Sequence, residues 1–184
     1  MQYPEKNVTL KNERNCIIRS ASAEDADKVL ELLQTVSRQS HYLLYDAAEA
    51  ATLSLKQERA FLERYQRGAH SLMLLAIVDG VFAGNCSFAV PSRAKMVRHR
   101  RELSIMVREE YGGIGIGSEL IKAAMDSAKC SGASWMELEV FENNTQAVNL
   151  YQSFGFIEYG RRSEGIMRQN GETECELLMH CRLD

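Results

Sequence analysis

Four glycines within six residues, Gly112, Gly113, Gly115 and Gly117, stand between a strand pattern and a helix pattern. Upstream, Ile105 and Val107 alternate with Ser104, the period of a strand with one buried face. Downstream, Ile116, Leu120, Ala124 and Ala128 recur four apart, on one helical face. Glycine tolerates the sharp turn that such a junction needs, and it removes the Cβ atoms that would hold a ligand away. The helix beginning there presents backbone N–H groups without intrahelical partners, and its dipole adds partial positive charge. The stretch reads as a ready anion site, best suited to a pyrophosphate.

Three readings of this site compete. A P-loop needs Lys followed by Ser or Thr at the end of the glycine run. Gly117-Ser118 lacks the Lys, which argues against nucleotide hydrolysis. A dinucleotide fingerprint needs Gly-x-Gly-x-x-Gly. Started at Gly113 or Gly115, its third glycine falls on Ser118 or Leu120. A tight strand-to-helix turn with no ligand explains the glycines as well.

A second stretch, Leu138 to Phe156, reads LEVFENNTQAVNLYQSFGF. Together the two stretches resemble the GNAT superfamily of acyl-CoA-dependent N-acyltransferases. Val107 closes an apolar strand, and Gly112-Gly113-Ile114-Gly115-Ile116-Gly117 follows where the family has (Gln/Arg)-Gly-x-Gly-(Ile/Val)-Gly. Leu138 and Val140, Asn144, Ala147, Leu150-Tyr151 and Gly155-Phe156 match the family's second motif in order and spacing. The likeness is detailed over the C-terminal half and compatible with the rest. One departure matters. Gly112 stands where the family usually has Gln or Arg, which leaves the pyrophosphate to backbone amides.

The resemblance implies an α/β (α+β) fold. In it a mixed central sheet, splayed open between the strands ending at Val107 and Phe141, is flanked by helices. It implies acetyl-CoA as acyl donor and an amine as acceptor. The backbone of Ile105, Met106 and Val107 would take the pantetheine arm and thioester carbonyl, with an N–H facing the developing oxyanion. Gly112, Gly113, Ile114, Gly115, Ile116, Gly117 and Ser118 would hold the pyrophosphate. Asn144 would fix the cofactor, or only cap its helix. Tyr151 stands at the family's general-acid position and would protonate the departing thiolate; the alternative is a core tyrosine packed on Leu150 and Phe154. An amine acceptor is mostly ammonium at neutral pH, so a base is needed. Glu102, on the central strand, is the candidate; its alternative is a strand-end carboxylate paired with Arg100 or Arg101. His41, Tyr42 and Tyr45 lie where the acceptor wall forms, and core or homodimer packing explains them equally.

Length and composition fit this reading. The 184 residues suggest one domain, and 45% hydrophobic with 26% charged residues is ordinary for a globular chain. A net charge of −3 gives no polycation for nucleic acid. The longest apolar run, Leu72 to Val78, is too short to span a bilayer, and the polar N-terminus is no secretory signal. Five cysteines without a Cys-x-x-Cys argue for reduced thiols in a cytoplasm. His41, His70, His99 and His180 are scattered, so no metal site is expected.

In chain order, residues 1–15 read as a mobile arm ahead of an N-acetyltransferase domain over 16–184. Cys16 to Arg19 is a first strand. Ser20 or Ser22 caps a helix with the stripe Val29, Leu32, Leu33 and Val36. An aromatic-rich connection follows, and Ser54-x-x-Gln57 marks a capping box before a second helix. Asp79-Gly80 joins two strands as a hairpin. Arg93 to Arg101 is a basic run, read as a solvated loop or as a contact for an acidic acceptor or the nucleotide phosphate. The order is β-α-α-β-β-β-α-β-α-β-β. A non-catalytic acyl-CoA-binding or regulatory module is the alternative function, and Gly112 is the feature that leans toward it. An NAD-dependent oxidoreductase fails on glycine spacing.

Overall fold

The computed structural model describes residues 1–183; residue 184 of the expected domain lies outside them. The chain begins with β1 (Lys6–Thr9), β2 (Asn15–Ser20) and a 3-10 turn. Three helices follow: α1 (Ala26–Gln39), α2 (Ala47–Thr52) and α3 (Leu55–Arg67). Then come β3 (Leu72–Val78), β4 (Val81–Ala89), β5 (Arg100–Val107), α4 (Ile116–Cys130), β6 (Trp135–Phe141) and α5 (Thr145–Ser153). The long strands β7 (Ile157–Met167) and β8 (Thr173–Arg182) end the chain. The strands form one sheet in the order β1-β2-β3-β4-β5-β6-β8-β7.

Local chemistry sets the elements. At the α3 start the Ser54 Oγ accepts the Gln57 N–H at 3.3 Å and the Gln57 Oε1 accepts the Ser54 N–H at 2.9 Å, the expected box. Asp79 and Gly80 take φ of 50° and 80°, as the two-residue β3–β4 hairpin requires. β3 is apolar throughout because helices cover both of its faces. Leu72, Leu74 and Ala76 pack with Phe88, Leu103 and the α4 stripe. Met73 and Leu75 pack with Val29 of α1 and Leu62 of α3.

Two expectations are corrected. The arm over residues 1–15 is not free. Lys6–Thr9 pairs antiparallel with β2, and Leu10 is buried in the main core. The connection after α1 contains a helix, α2, whose Asp46 Oδ1 accepts the Glu49 N–H at 2.8 Å.

The sheet opens where the family resemblance implied. β5 and β6 run parallel, but they pair only at Arg100–Trp135, Arg101–Met136 and Glu102–Glu137. Beyond Glu102, β5 stays bonded to β4 as far as Val107, and β6 stays bonded to β8 as far as Phe141. The facing edges of the two strands therefore diverge.

Arg101 holds the closed end. Its side chain is fully buried, and burial lowers its pKa. Among the described residues no carboxylate pairs with it. Its guanidinium donates instead to the carbonyls of Arg98 at 2.6 Å, Arg100 at 2.9 Å and Ser131 at 3.2 Å. Ser131 is the C-cap of α4, so the cation sits at the negative end of that helix dipole. Of the rest of the basic run, Arg100 pairs with Glu137 at 2.5 Å, while Arg93, Lys95, Arg98 and His99 are exposed.

Candidate active site

The diverging strands open into a cleft of about 1110 Å³. Its floor is β5. One end is the glycine loop before α4, and one side is α5. The opposite wall is α1, the connection to α2, and the start of α3. Ile105, Met106, Val107, Gly112, Gly113, Gly115, Gly117, Ser118, Asn144 and Tyr151 all line it. Ile114 and Ile116 do not. Ile116 is buried in the core and Ile114 packs against it, so neither side chain takes part. The basic run Arg93–Arg101 is absent from the lining.

The glycine loop has the geometry an anion needs. Gly113 and Gly115 take φ of 74° and 102°, the left-handed region that other residues enter at a cost. Gly115 is the N-cap of α4, so the helix's free N–H groups open toward the cleft. Gly112 has φ −68° and ψ 150°, which any residue can adopt; there a Cβ would meet the Glu109 carbonyl at 3.0 Å. Gly117 lets α4 approach α5, since a Cβ would lie 3.1 Å from Leu150.

On the α5 side, the Asn144 Oδ1 accepts the Ala147 N–H at 3.2 Å, so the cap is realised. Tyr151 packs its ring 5.8 Å from that of Phe156 while lining the cleft. Burial, reinforced by the nearby Cys86 thiol, raises its pKa and keeps the phenol protonated. The hydroxyl makes no hydrogen bond to a described residue, so it is free to donate into the cleft.

Glu102 lies outside this lining. It is exposed on the sheet face beside Glu137 and Glu139. Partial burial and those two carboxylates raise its pKa, opposed by Arg100. Arg100 has its own partner in Glu137 and Arg101 donates to backbone carbonyls, so the alternative pairing of Glu102 with either is not formed.

The rest of the lining holds groups that, Tyr42 apart, the sequence did not single out. Glu58 of α3 is 8% exposed, lines the cleft, and has a pKa raised by burial. No described side chain or backbone group donates to its carboxylate. Asn85 and Ser87 of β4 face the same space, and Ser87 stands opposite Ser104 of β5. Polar residues two apart inside an apolar strand were the legible signal there. Glu139 and Glu176, also in the lining, share Arg162 at 2.8 and 2.5 Å. The Tyr42 hydroxyl donates to the Asn143 carbonyl at 3.3 Å and its ring meets Phe141 edge-on, which carries the α1–α2 connection across the cleft mouth. Gln39 ties the end of α1 to the β5–α4 loop through Glu109 at 3.2 Å and Glu110 at 3.0 Å. Among the described residues no cluster of His, Cys, Asp and Glu could hold a metal.

The sequence profile of the Acetyltransferase (GNAT) family matches residues 38–156, more than half of the chain. The chain belongs to the GNAT acetyltransferase family. This GNAT protein is 27% identical over 142 residues to the L-amino acid N-acyltransferase MnaT of Escherichia coli, covering 76% of this chain and 78% of that one. A GNAT-family acetyltransferase structure from Streptococcus pneumoniae superposes with a TM-score of 0.86 at 28% identity, over 91% of this chain and 99% of that one. The yncA structure from Salmonella typhimurium, solved with its cofactor acetyl-CoA, has the same fold. Its TM-score is 0.82 at 22% identity, over 92% of this chain and 95% of that one.

Proposed function

We propose that this GNAT enzyme moves the acetyl group of acetyl-CoA onto a primary amine of a small molecule, peptide or protein, by direct attack of the amine on the thioester. The observation that carries the reading is the cleft itself. The unpaired edge of β5 leads straight to the N-terminus of α4 at Gly115. An elongated ligand with amides at one end and phosphates at the other matches those two surfaces in order. The fit is local and physical: unpaired backbone groups need partners, and the left-handed glycines leave the helix end open.

Acetyl-CoA supplies the activated acyl group when bound; the rest falls to the chain. The backbone of Ile105, Met106 and Val107 would orient the amide arm. Tyr151, protonated and free to donate, would give its proton to the departing sulfur. Glu102, directly or through a water, is the candidate to take the proton of the amine. Its raised pKa supports that role, and its place beside the cleft rather than in it favours the water. Five free cysteines support a reducing, cytoplasmic setting.

The test is to incubate the protein with acetyl-CoA and a panel of L-amino acids, diamines and peptide N-termini, following thiol release and product mass. Amine-dependent thiol release with N-acetylated product is expected. Acetyl-CoA binding without release on any amine would favour the non-catalytic module, toward which Gly112 leans. No binding would overturn both.

A further inference from the structure

The turn between β1 and β2 is built against the glycine loop. The Lys11 N–H donates to the Ile114 carbonyl at 3.1 Å. The Lys11 stem lies over Gly115: its Cγ and Cε are 3.7 and 3.9 Å from where a Cβ on that glycine would sit. The turn is anchored on both sides. Leu10 is buried beneath it, and the Arg14 guanidinium pairs with Asp79 at 2.6 Å while lying 5.3 Å from the Tyr111 ring centroid. So the backbone of the turn is held in place by its neighbours, while the Lys11 side chain itself is exposed.

Its charge is in an unusual place. The ammonium is one bond beyond a Cε that lies over the N-cap of α4, and Lys11 lines the cleft. A helix N-terminus is the positive end of its dipole and repels a cation. Among the described residues no carboxylate forms an ion pair with Lys11 to offset this, while its neighbour Arg14 is fully engaged. Two positive features face one open space, and Glu119 in the first turn of α4 forms no ion pair with Lys11, which leaves a place for an anionic ligand.

We propose that Lys11 supplies the cation for the cofactor pyrophosphate, in place of the side chain that Gly112 lacks. The inference rests on the acetyl-CoA reading above. It assigns a binding role to a residue from the opposite end of the chain. The apolar stem of Lys11 shields the glycine turn, and its ammonium meets phosphate oxygens on the side the helix N–H groups do not reach.

The experiment is titration calorimetry of the full chain with CoA, dephospho-CoA and pantetheine, for the native protein, Lys11→Met and Lys11→Arg. Met keeps the stem over Gly115 and removes only the charge. Lys11→Met is expected to weaken CoA and dephospho-CoA alike, by about five- to tenfold at low salt. Pantetheine affinity should not change, and Lys11→Arg should restore most of the loss. The native affinity for CoA should also fall more steeply with salt than that of Lys11→Met. Equal CoA affinity in native and Lys11→Met protein would overturn the inference and leave the cofactor reading intact. A loss on CoA alone would assign Lys11 to the ribose phosphate, and an equal loss on pantetheine would make it a packing residue; either result overturns the proposal. If native protein binds none of the three, the cofactor reading falls and this inference with it.

Discussion

Tyr151 meets two demands with one side chain. Its ring is part of the α5 packing against Phe156, while among the described residues its hydroxyl has no hydrogen-bond partner at the cleft. Tyr151→Phe separates them, because it keeps the ring and removes the donor. If the hydroxyl protonates the leaving sulfur, kcat falls about a hundredfold, the low end for a positioned acid, with acetyl-CoA affinity unchanged. A Phe variant with full kcat, measured where chemistry limits the rate, would reduce Tyr151 to packing. Glu58 poses the opposite case, a carboxylate that burial penalises and that no described residue pairs. Burial raises its pKa, so between the unfolded and folded values the folded chain holds a proton that the unfolded chain has lost. Stability falls as pH rises through that window and stays lower above it. Glu58→Gln removes this penalty. The variant's Tm should rise by about 2–4 °C near pH 8, roughly 1 kcal/mol for a chain of this size, with little gain near pH 4. A gain of the same size at both pH values would mean that repacking, not charge, is the cause. Tyr151 and Asn144 were legible because a motif carries them. Glu58 was not, since a Glu on a solvated helix looks the same in sequence whether or not that turn of the helix meets a cleft.

The elements themselves were read with uneven success, and the reasons are local. α3, β3 and the Asp79-Gly80 turn carry strong signals: a capping box, an apolar run and a turn pair. β1 carries none. Lys-Asn-Val-Thr has one apolar side chain, and its strand state comes from pairing with β2. α2 hid its box, Asp46 with Glu49, behind a run of aromatics read as connection. The basic run near Arg93 was read as one feature, yet its last two residues are strand, one ion-paired and one a buried helix cap. At the α4 start the glycines were read both as a sharp turn and as room for a ligand, and at Gly115 the backbone is the stronger reason. A Cβ at Gly115 meets only the Lys11 side chain, so there the φ of 102° is the constraint. Gly115→Ala should therefore cost about 1–2 kcal/mol, the left-handed penalty, read as a Tm lowered by several degrees. A Tm unchanged within error would show that the turn relaxes, and would weaken the argument that this loop is rigid before ligand arrives.

At the scale of the molecule, one half of the cleft was legible and the other was not. The legible half lies in two continuous stretches, 105–118 and 138–156, where spacing along the chain is spacing in space. The other half is assembled from α1, α3, β4, β6 and β8, residues far apart in sequence that only the sheet order brings together. The divergence of β5 from β6 has a consequence beyond chemistry. A sheet normally has two open edges, and this one has two more in its middle, each a row of unpaired amides of the kind that recruits foreign strands. The seam most exposed to aggregation is thus the one a ligand would close. Whatever fills it raises the folded population by mass action, about 2.7 kcal/mol at a hundred times its Kd. The abundance of this protein in a cell would then follow the supply of that ligand, so that when the metabolite is scarce the chain itself is shorter-lived.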